Sequence, residues 1–125
     1  MVETDSPLRL RRSDEIEYEA VGAAADLEKG VLINEEHGAK DVAIRRFTLA
    51  PGGEVPEHTN EVEHAQYVLE GEYIVGVDDS EYTVSAGDSL HIPAGTVHWY
   101  RNDSDSPGVF ICAVPTGEDE ISLQQ

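Results

Sequence analysis

Apolar and polar residues alternate along much of this chain, in short segments separated by turn residues. Residues 42–49 alternate at period two and end before Pro51, while residues 73–77 and 81–84 flank the polar turn 78–80. Because successive side chains of a β-strand point to opposite faces, this period predicts strands with one buried face. The further candidate strands are residues 31–33, 66–69, 90–92, 97–100 and 109–114. About eight short strands with regular turn signals predict an all-β domain with a closed or sandwiched antiparallel architecture.

The N-terminal segment lacks this alternation. Residues 1–15 are polar, contain Pro7, and carry Arg9, Arg11 and Arg12 close together. Terminal segments without an apolar face are commonly poorly ordered. We therefore expect a flexible arm over residues 1–15, either solvated or docked on a neighbouring subunit. Residues 16–125 then form a single domain, since 125 residues is an ordinary size for one core.

The charge of the chain narrows the possible partners. Twenty-six Asp and Glu residues face eight Lys and Arg residues, which gives a net charge of −18. A field of this sign repels phosphate backbones and anionic lipids, so the sequence predicts no nucleic-acid and no membrane partner. Such self-repulsion is tolerated when concentrated salt shortens the Debye length. The composition thus favours a protein of a halophile, with an ordinary acidic bacterial protein as the alternative.

Cysteine content and hydropathy bear on the compartment. Cys112 is the single cysteine, so no internal disulfide forms and the fold does not need an oxidising compartment. Cys112 lies in an apolar segment and is interpreted as a small buried hydrophobic residue. The sequence has no apolar run of the length of a signal peptide or a membrane span. We expect a soluble cytoplasmic protein.

Three of the five histidines, His58, His64 and His98, fall beside turn residues in the β-rich part of the chain. Neutral imidazole is the commonest metal ligand among side chains. His58 shares a strand face with Asn60, and the same spacing relates His64 to Gln66 and His98 to Tyr100. Ligands from separated strands could converge inside a barrel. Glu63 faces away in a regular strand, and a kink would bring it in as a carboxylate ligand.

The same residues carry a resemblance to the cupin family of small jelly-roll β-barrels. The second cupin motif is matched in full, by Gly87, Pro93, Gly95, His98 and Asn102. The first motif is matched at Gly52, His58 and Gly71. It departs at two positions, where Asn60 replaces a histidine and His64 replaces a glutamate. The two motifs cover residues 52–102.

The resemblance implies a single-domain jelly-roll β-barrel with one divalent first-row transition metal ion, such as Fe, Mn, Zn, Ni or Cu. By the resemblance, His58, His64 and His98 are the implied ligands, and Asn60 is a possible fourth. Gln66 is either a ligand or a hydrogen-bonding neighbour of the site, and the Tyr100 hydroxyl lies near the metal. Three neutral imidazoles leave the full charge on the ion, which favours binding of an anionic group.

Cupins include dioxygenases, isomerases, decarboxylases, lyases and sugar binders, so the resemblance indicates the fold better than the reaction. The resemblance implies a metal-binding protein acting on a small-molecule substrate, with an oxygenase-type enzyme ranked first. The alternative is a non-catalytic module that binds or senses a small molecule. By analogy with other jelly rolls, whose edges are often covered by a partner strand, we expect a homodimer.

Overall fold

A computed structural model of the protein describes residues 7–117 and 121–123. The described chain forms ten β-strands: β1 (Tyr18–Ala20), β2 (Ala25–Ile33), β3 (Val42–Asn60), β4 (His64–Glu70), β5 (Glu72–Val77), β6 (Ser80–Ser85), β7 (Ser89–Ile92), β8 (His98–Arg101), β9 (Gly108–Pro115) and β10 (Ile121–Leu123). Its helical segments are two short 3-10 turns, Ser13–Glu15 and Glu35–His37. The predicted all-β class is confirmed.

The strands form one antiparallel sheet in the order β6-β5-β8-β3-β9-β4-β7, with β2 and β10 also pairing with β3 and β1 pairing with β2. The strand order differs from the chain order, as expected for a jelly roll. One face of the sheet carries the main core. Its buried members are Leu27, Leu49, Val55, Val68, Tyr73, Val75, Val84, Ile92, Tyr100 and Phe110. This core encloses the residues of the candidate site.

Strand β3 is longer than the sequence pattern indicated. The predicted end before Pro51 is wrong, because the strand continues to Asn60. Gly52 adopts a positive φ of 79°, a conformation that favours glycine, and its N–H donates to the Asn102 carbonyl at 2.8 Å. Residues 42–49 pair with β9, whereas residues 54–58 pair with β8. The glycines therefore bend the strand and let it change partners without ending it.

A second correction concerns the C-terminal end of the sheet. The segment 109–114 was expected to be the last strand, but Ile121–Leu123 follows it and pairs with residues 58–60 of β3. A strand of three residues is too short for its alternation to be read from sequence. The backbone of β10 therefore lies next to the part of β3 that carries two of the predicted site residues.

The predicted N-terminal arm is described only in part, since residues 1–6 lie outside the described residues. The Arg11 guanidinium donates to the main-chain carbonyls of Val31 and Leu32, at 2.7 and 2.8 Å. Arg11 thus contacts β2, and the division of the chain at residue 15 stays a prediction. In the described part of the chain, no helix is both long and apolar enough to cross a bilayer.

Candidate functional site

The six residues predicted for the site are all buried and lie in pairs, two positions apart, on three strands: His58 and Asn60 on β3, His64 and Gln66 on β4, and His98 and Tyr100 on β8. Each pair shares one strand face because side chains alternate along a strand. The neighbouring positions, such as Thr59 and Ala65, are more exposed. The period-two pattern therefore brings the six side chains into the interior.

His58 and His98 are direct cross-strand partners, and their ring centroids lie 4.2 Å apart. The Nδ1 atoms lie 2.8 Å from the carbonyl oxygens of Pro56 and Thr96, respectively. A carbonyl oxygen only accepts hydrogen bonds, so each Nδ1 carries the hydrogen and each neutral ring keeps its lone pair on Nε2. This is the tautomer, held by a backbone carbonyl, that metal-ligating histidines commonly use.

The electrostatic surroundings keep His98 neutral. Its side chain is 1% exposed, and burial lowers its pKa to about 4, with a smaller lowering from nearby His58 and His64. The hydrogen bond to the Thr96 carbonyl acts in the opposite direction without reversing this effect. Because a ligand must be unprotonated, His98 is available as a nitrogen donor at neutral pH.

His64 is held differently, by a side chain. Its Nδ1 lies 3.2 Å from the Cys112 sulfur, which also lies 3.5 Å from Nη2 of Arg45. Burial opposes ionisation of the thiol, but the His64 hydrogen bond and the Arg45 charge outweigh it, so the pKa of Cys112 lies below its usual value. The burial predicted for Cys112 is correct, yet the residue also contacts a predicted ligand, which an apolar sequence context does not reveal.

Gln66 and Tyr100, the two residues predicted to take part in catalysis, are hydrogen-bonded to each other. The Gln66 amide nitrogen donates to the Tyr100 hydroxyl at 2.8 Å. Both side chains line the same cavity. This bond uses the amide nitrogen of Gln66, and the amide oxygen is buried as well.

Within the described part of the chain, three buried acceptor atoms of the predicted site residues lack a hydrogen-bond partner: Oδ1 of Asn60, Oε1 of Gln66 and Nε2 of His98. Because buried acceptors are normally satisfied, each of these atoms is a candidate contact for a cation or a hydrogen-bond donor. Their nitrogen and oxygen chemistry suits a divalent first-row ion. Within residues 7–117 and 121–123, however, no three His, Cys, Asp or Glu side chains are grouped as a ready-made metal site.

A cavity of about 80 Å³ lies beside these residues. Its walls combine an apolar set (Val21, Leu27, Phe47, Val55 and Phe110), five of the predicted site residues (His58, Asn60, His64, Gln66 and Tyr100) and two cations (Lys29 and Arg45). His98 lies behind His58 and does not line the cavity. The volume suits a small ligand, since sites for drug-sized molecules typically occupy about 300–1,000 Å³.

Arg45 is one of the cavity residues that the sequence interpretation missed. It is 8% exposed and shares the inward face of β3 with Ala43 and Leu49, which are also buried. The signal was present in the sequence, because a basic residue interrupts the apolar positions of an alternating strand. Alternation predicted the strand correctly, but it assigned no function to the charged residue on its inner face.

The contacts of Glu63 and Trp99 show which way these two side chains point. Glu63 lies 2.8 Å from Nε2 of His91, and both side chains are largely exposed. The carboxylate of Glu63 is therefore directed outward, as in the regular-strand alternative. Trp99 packs over Gly76, with the Arg101 guanidinium 5.0 Å from its ring, on the side of β8 away from the histidines.

Comparison with known proteins agrees with this architecture. The family model for the cupin domain matches residues 45–114. The chain is 32% identical to germin-like protein 5-1 of Oryza sativa subsp. japonica over 102 residues, which are 77% of this chain and 44% of that protein. It is 42% identical to quercetin 2,3-dioxygenase of Bacillus subtilis (strain 168) over 55 residues, 42% of this chain and 16% of the enzyme. The chain thus spans less than half the length of these relatives.

A solved structure extends the similarity to nearly the whole chain. The polyketide cyclase RemF from Streptomyces resistomycificus superposes with a TM-score of 0.86, covering 94% of this chain and 86% of the cyclase. Sequence identity is 24%. At this identity the likeness concerns the fold alone, which is a jelly-roll barrel.

Proposed function

Because the chain belongs to the cupin domain family, we propose that it is a metal-binding protein that acts on a small organic molecule. The metal is one divalent first-row transition ion, namely Fe, Mn, Zn, Ni or Cu. The ligands are His58, His64 and His98, supplemented by the amide oxygen of Asn60 or Gln66. Among enzyme classes we rank an oxygenase first. The local identity to a protein named quercetin 2,3-dioxygenase supports this order.

The observation that carries the proposal is the set of unpartnered acceptors at Asn60, Gln66 and His98. Leaving a buried polar atom unsatisfied costs about 1–3 kcal/mol, so a protein rarely keeps three in one place. A bound cation would offset this cost for each of these atoms that it contacts. The amide oxygens also matter because the histidines alone do not form a ready-made group among the described residues.

A metal held by these residues would supply Lewis-acid chemistry towards a substrate oxygen, water or dioxygen. The residues of the chain do the remaining work. The Gln66 amide holds the Tyr100 hydroxyl at the cavity wall, where it can hydrogen-bond a substrate oxygen. Val55, Phe47 and Phe110 line the cavity with apolar surface and limit the entry of water.

Elemental analysis of protein purified without chelators tests the proposal. We expect about one equivalent of a first-row metal in the wild type and its loss in His98→Ala. His91→Ala is the matched control, because His91 is exposed and pairs with Glu63 outside the cavity. Circular dichroism verifies that both variants fold. A wild type that stays metal-free after incubation with each candidate ion contradicts the proposal.

The second candidate, a non-catalytic module that binds a small molecule, is favoured by one specific observation. The cavity is largely apolar, and among the described residues no His, Cys, Asp or Glu triplet is arranged for a metal. This candidate predicts ligand binding by metal-free protein without turnover. Oxygen uptake that depends on added metal would favour the metal-dependent oxygenase over the non-catalytic module.

We further propose that the protein works as a homodimer in the cytoplasm of a halophile. The net charge of −18 supports the second part of this proposal. The exposed edges of a jelly-roll sheet support the first, since partner strands often cover such edges. Light scattering in molar potassium chloride should give twice the 13.7 kDa mass of the chain. A purely monomeric sample contradicts the dimer.

A further inference from the structure

The hairpin formed by β1 and β2 contributes one wall of the cavity. Val21, Leu27 and Lys29 are the hairpin residues on this wall. Val21 and Lys29 also line an outer groove of about 700 Å³. The same two side chains therefore lie on the boundary between the cavity and the groove. A route from the groove into the cavity runs past them.

The pairing of the hairpin explains why these side chains meet. Glu19 on β1 lies opposite Lys29 on β2, and both face the outer groove together with Val21. Val21 follows the last residue of β1, and its N–H donates to the carbonyl of Leu27 at 2.9 Å. The side chain of Val21 is partly buried and packs against the main core. It therefore covers the cavity at the end of the hairpin.

Residues 18–24, which we call the flap, are anchored at both ends but lightly held between them. All three residues of β1 are exposed, and among the described strands β1 pairs with β2 alone. Before the flap, Arg11 donates to the carbonyls of Val31 and Leu32, and after it Leu27 is buried in the core. Segments with exposed hydrogen bonds and few buried contacts open at a lower free energy than the core. The flap is therefore able to open while the barrel stays folded.

The backbone between the flap and the core is irregular. Asp26 has a φ of 56°, a conformation that residues other than glycine seldom adopt. The register between β2 and β3 shifts between Ala25 and Leu27. A Cβ added to Gly53 on β3 would lie 3.1 Å from the Ala25 carbonyl oxygen, so the glycine leaves room for this backbone. Hinges are commonly a few residues at the end of an element, which is where this irregularity lies.

We propose that the flap opens to admit ligands from the outer groove, and that Val21 determines the size of the ligand that passes. The structure shows the closed form, in which the cavity measures about 80 Å³. Outward movement of Val21 joins the cavity to the groove. A ligand longer than the closed cavity then binds with its remaining part in the groove. The inference rests on the proposed function only for the fate of the ligand inside, and it does not involve the metal.

Thiol labelling of chelator-treated protein measures entry into the cavity. The target is Val55→Cys in a Cys112→Ser background, because Val55 lines the cavity, is 3% exposed and lies on β3 outside the flap. Methyl methanethiosulfonate is the small reagent and its benzyl analogue the large one, both at one pH. Adding Val21→Ala should speed labelling at least fivefold, and more for the large reagent. Adding Val21→Phe should slow it at least fivefold, whereas mere destabilisation of the fold would speed labelling in both variants.

Val62→Ala is the matched control. It makes the same substitution at another partly buried valine, which packs against Ala43 and Val114 and does not line the cavity. Its labelling rate should stay within twofold of that of the parent protein. Labelling is repeated at low urea concentrations, because denaturant promotes openings in proportion to the surface that they expose. Entry through the flap should respond to urea much less than global unfolding does.

Hydrogen exchange of the metal-free wild type keeps the inference testable if Val55→Cys does not fold. The protection factor of the Val21 amide should be at least tenfold lower than those of the slowest amides of β3 and β9. Equal protection would overturn the inference, because the flap would then open only when the whole domain unfolds. Val21→Phe that labels as fast as Val21→Ala, or Val62→Ala that labels as fast as Val21→Ala, would also overturn it. None of these measurements needs a metal, so the inference and the proposed metal function fail separately.

Discussion

The imidazoles of His58 and His98 face each other across β3 and β8, with ring centroids 4.2 Å apart. Each ring donates from Nδ1 to the carbonyl of the residue two positions before it, at 2.8 Å in both cases. The same local hydrogen bond to the main chain therefore orients both rings. His64 contacts the side chain of Cys112 instead, so its orientation depends on a strand that is distant in sequence.

The burial of His98 predicts a specific loss of stability in acid. Its pKa is about 4 in the folded protein and 6.5 in an unfolded chain, so below pH 6.5 the unfolded state binds a proton that the folded state does not. Stability from this residue is present above pH 6.5 and falls as the pH decreases towards 4. The loss amounts to about 3 kcal/mol. Urea unfolding of chelator-treated protein at pH 7 and pH 4 measures it.

Other groups also titrate over this interval, so the comparison is made with His98→Gln, which cannot ionise. The free energy of unfolding of the wild type should fall relative to that of the variant by the stated amount. Parallel pH dependences in the two proteins would show that His98 titrates normally.

Cys112 should affect metal affinity through His64. Replacing it by valine keeps a small buried side chain but removes the partner of His64 Nδ1. Loss of a hydrogen-bonding partner of a metal ligand typically costs about 10–100-fold in affinity. Competition with a chromogenic chelator should show a decrease of about this size in Cys112→Val and a smaller one in Cys112→Ser. Equal affinity in wild type and Cys112→Val would show that this contact does not position His64.

Replacing Gly76 by alanine should create a packing defect beside Trp99. A Cβ at this position would overlap the Trp99 indole, so Gly76→Ala should destabilise the fold by about 1–3 kcal/mol. Gly22→Ala is the control, because a Cβ there would meet nothing within 4 Å. Chemical denaturation of both variants tests the difference. A stability of Gly76→Ala equal to that of Gly22→Ala would mean that the indole moves aside freely.

The net charge of −18 predicts a dependence on salt. Salt at 1 M shortens the Debye length to about 3 Å and so screens the repulsion between carboxylates. The melting temperature should therefore rise with potassium chloride into the molar range. Sorbitol at equal osmolality controls for general exclusion of solutes from the protein surface. A melting temperature that does not respond to potassium chloride contradicts adaptation to a salt-rich cytoplasm.

Much of the fold was predictable because alternation identifies strands one at a time. The segments 66–69, 73–77 and 109–114 each lie within an observed strand. Alternation gave no information about pairing, and it failed where β3 changes partners at Gly52. A proline followed by two glycines indicates the end of a strand in most contexts. Here the hydrogen bonds with Asn102 carry the strand across the bend.

The candidate site was predictable in part for the same reason. Spacing of two residues placed His58 with Asn60 and His64 with Gln66 on buried faces. The contact between His64 and Cys112 spans 48 positions and leaves no local signal. Arg45 had a local signal, namely a charge at an inward position of an alternating strand. Its contact with Cys112 depends on which strand lies opposite, and the sequence did not reveal that.

One uninterrupted strand carries Arg45 at one end and His58 with Asn60 at the other. The separation between the buried Arg45 and the proposed metal ligands is consequently set by the main-chain hydrogen bonds of β3, with no loop between them. Insertions or deletions in this interval would shift the register of every later residue on β3. Diversification of this pocket during evolution would therefore proceed by exchanging side chains, while the length of the segment stays constant.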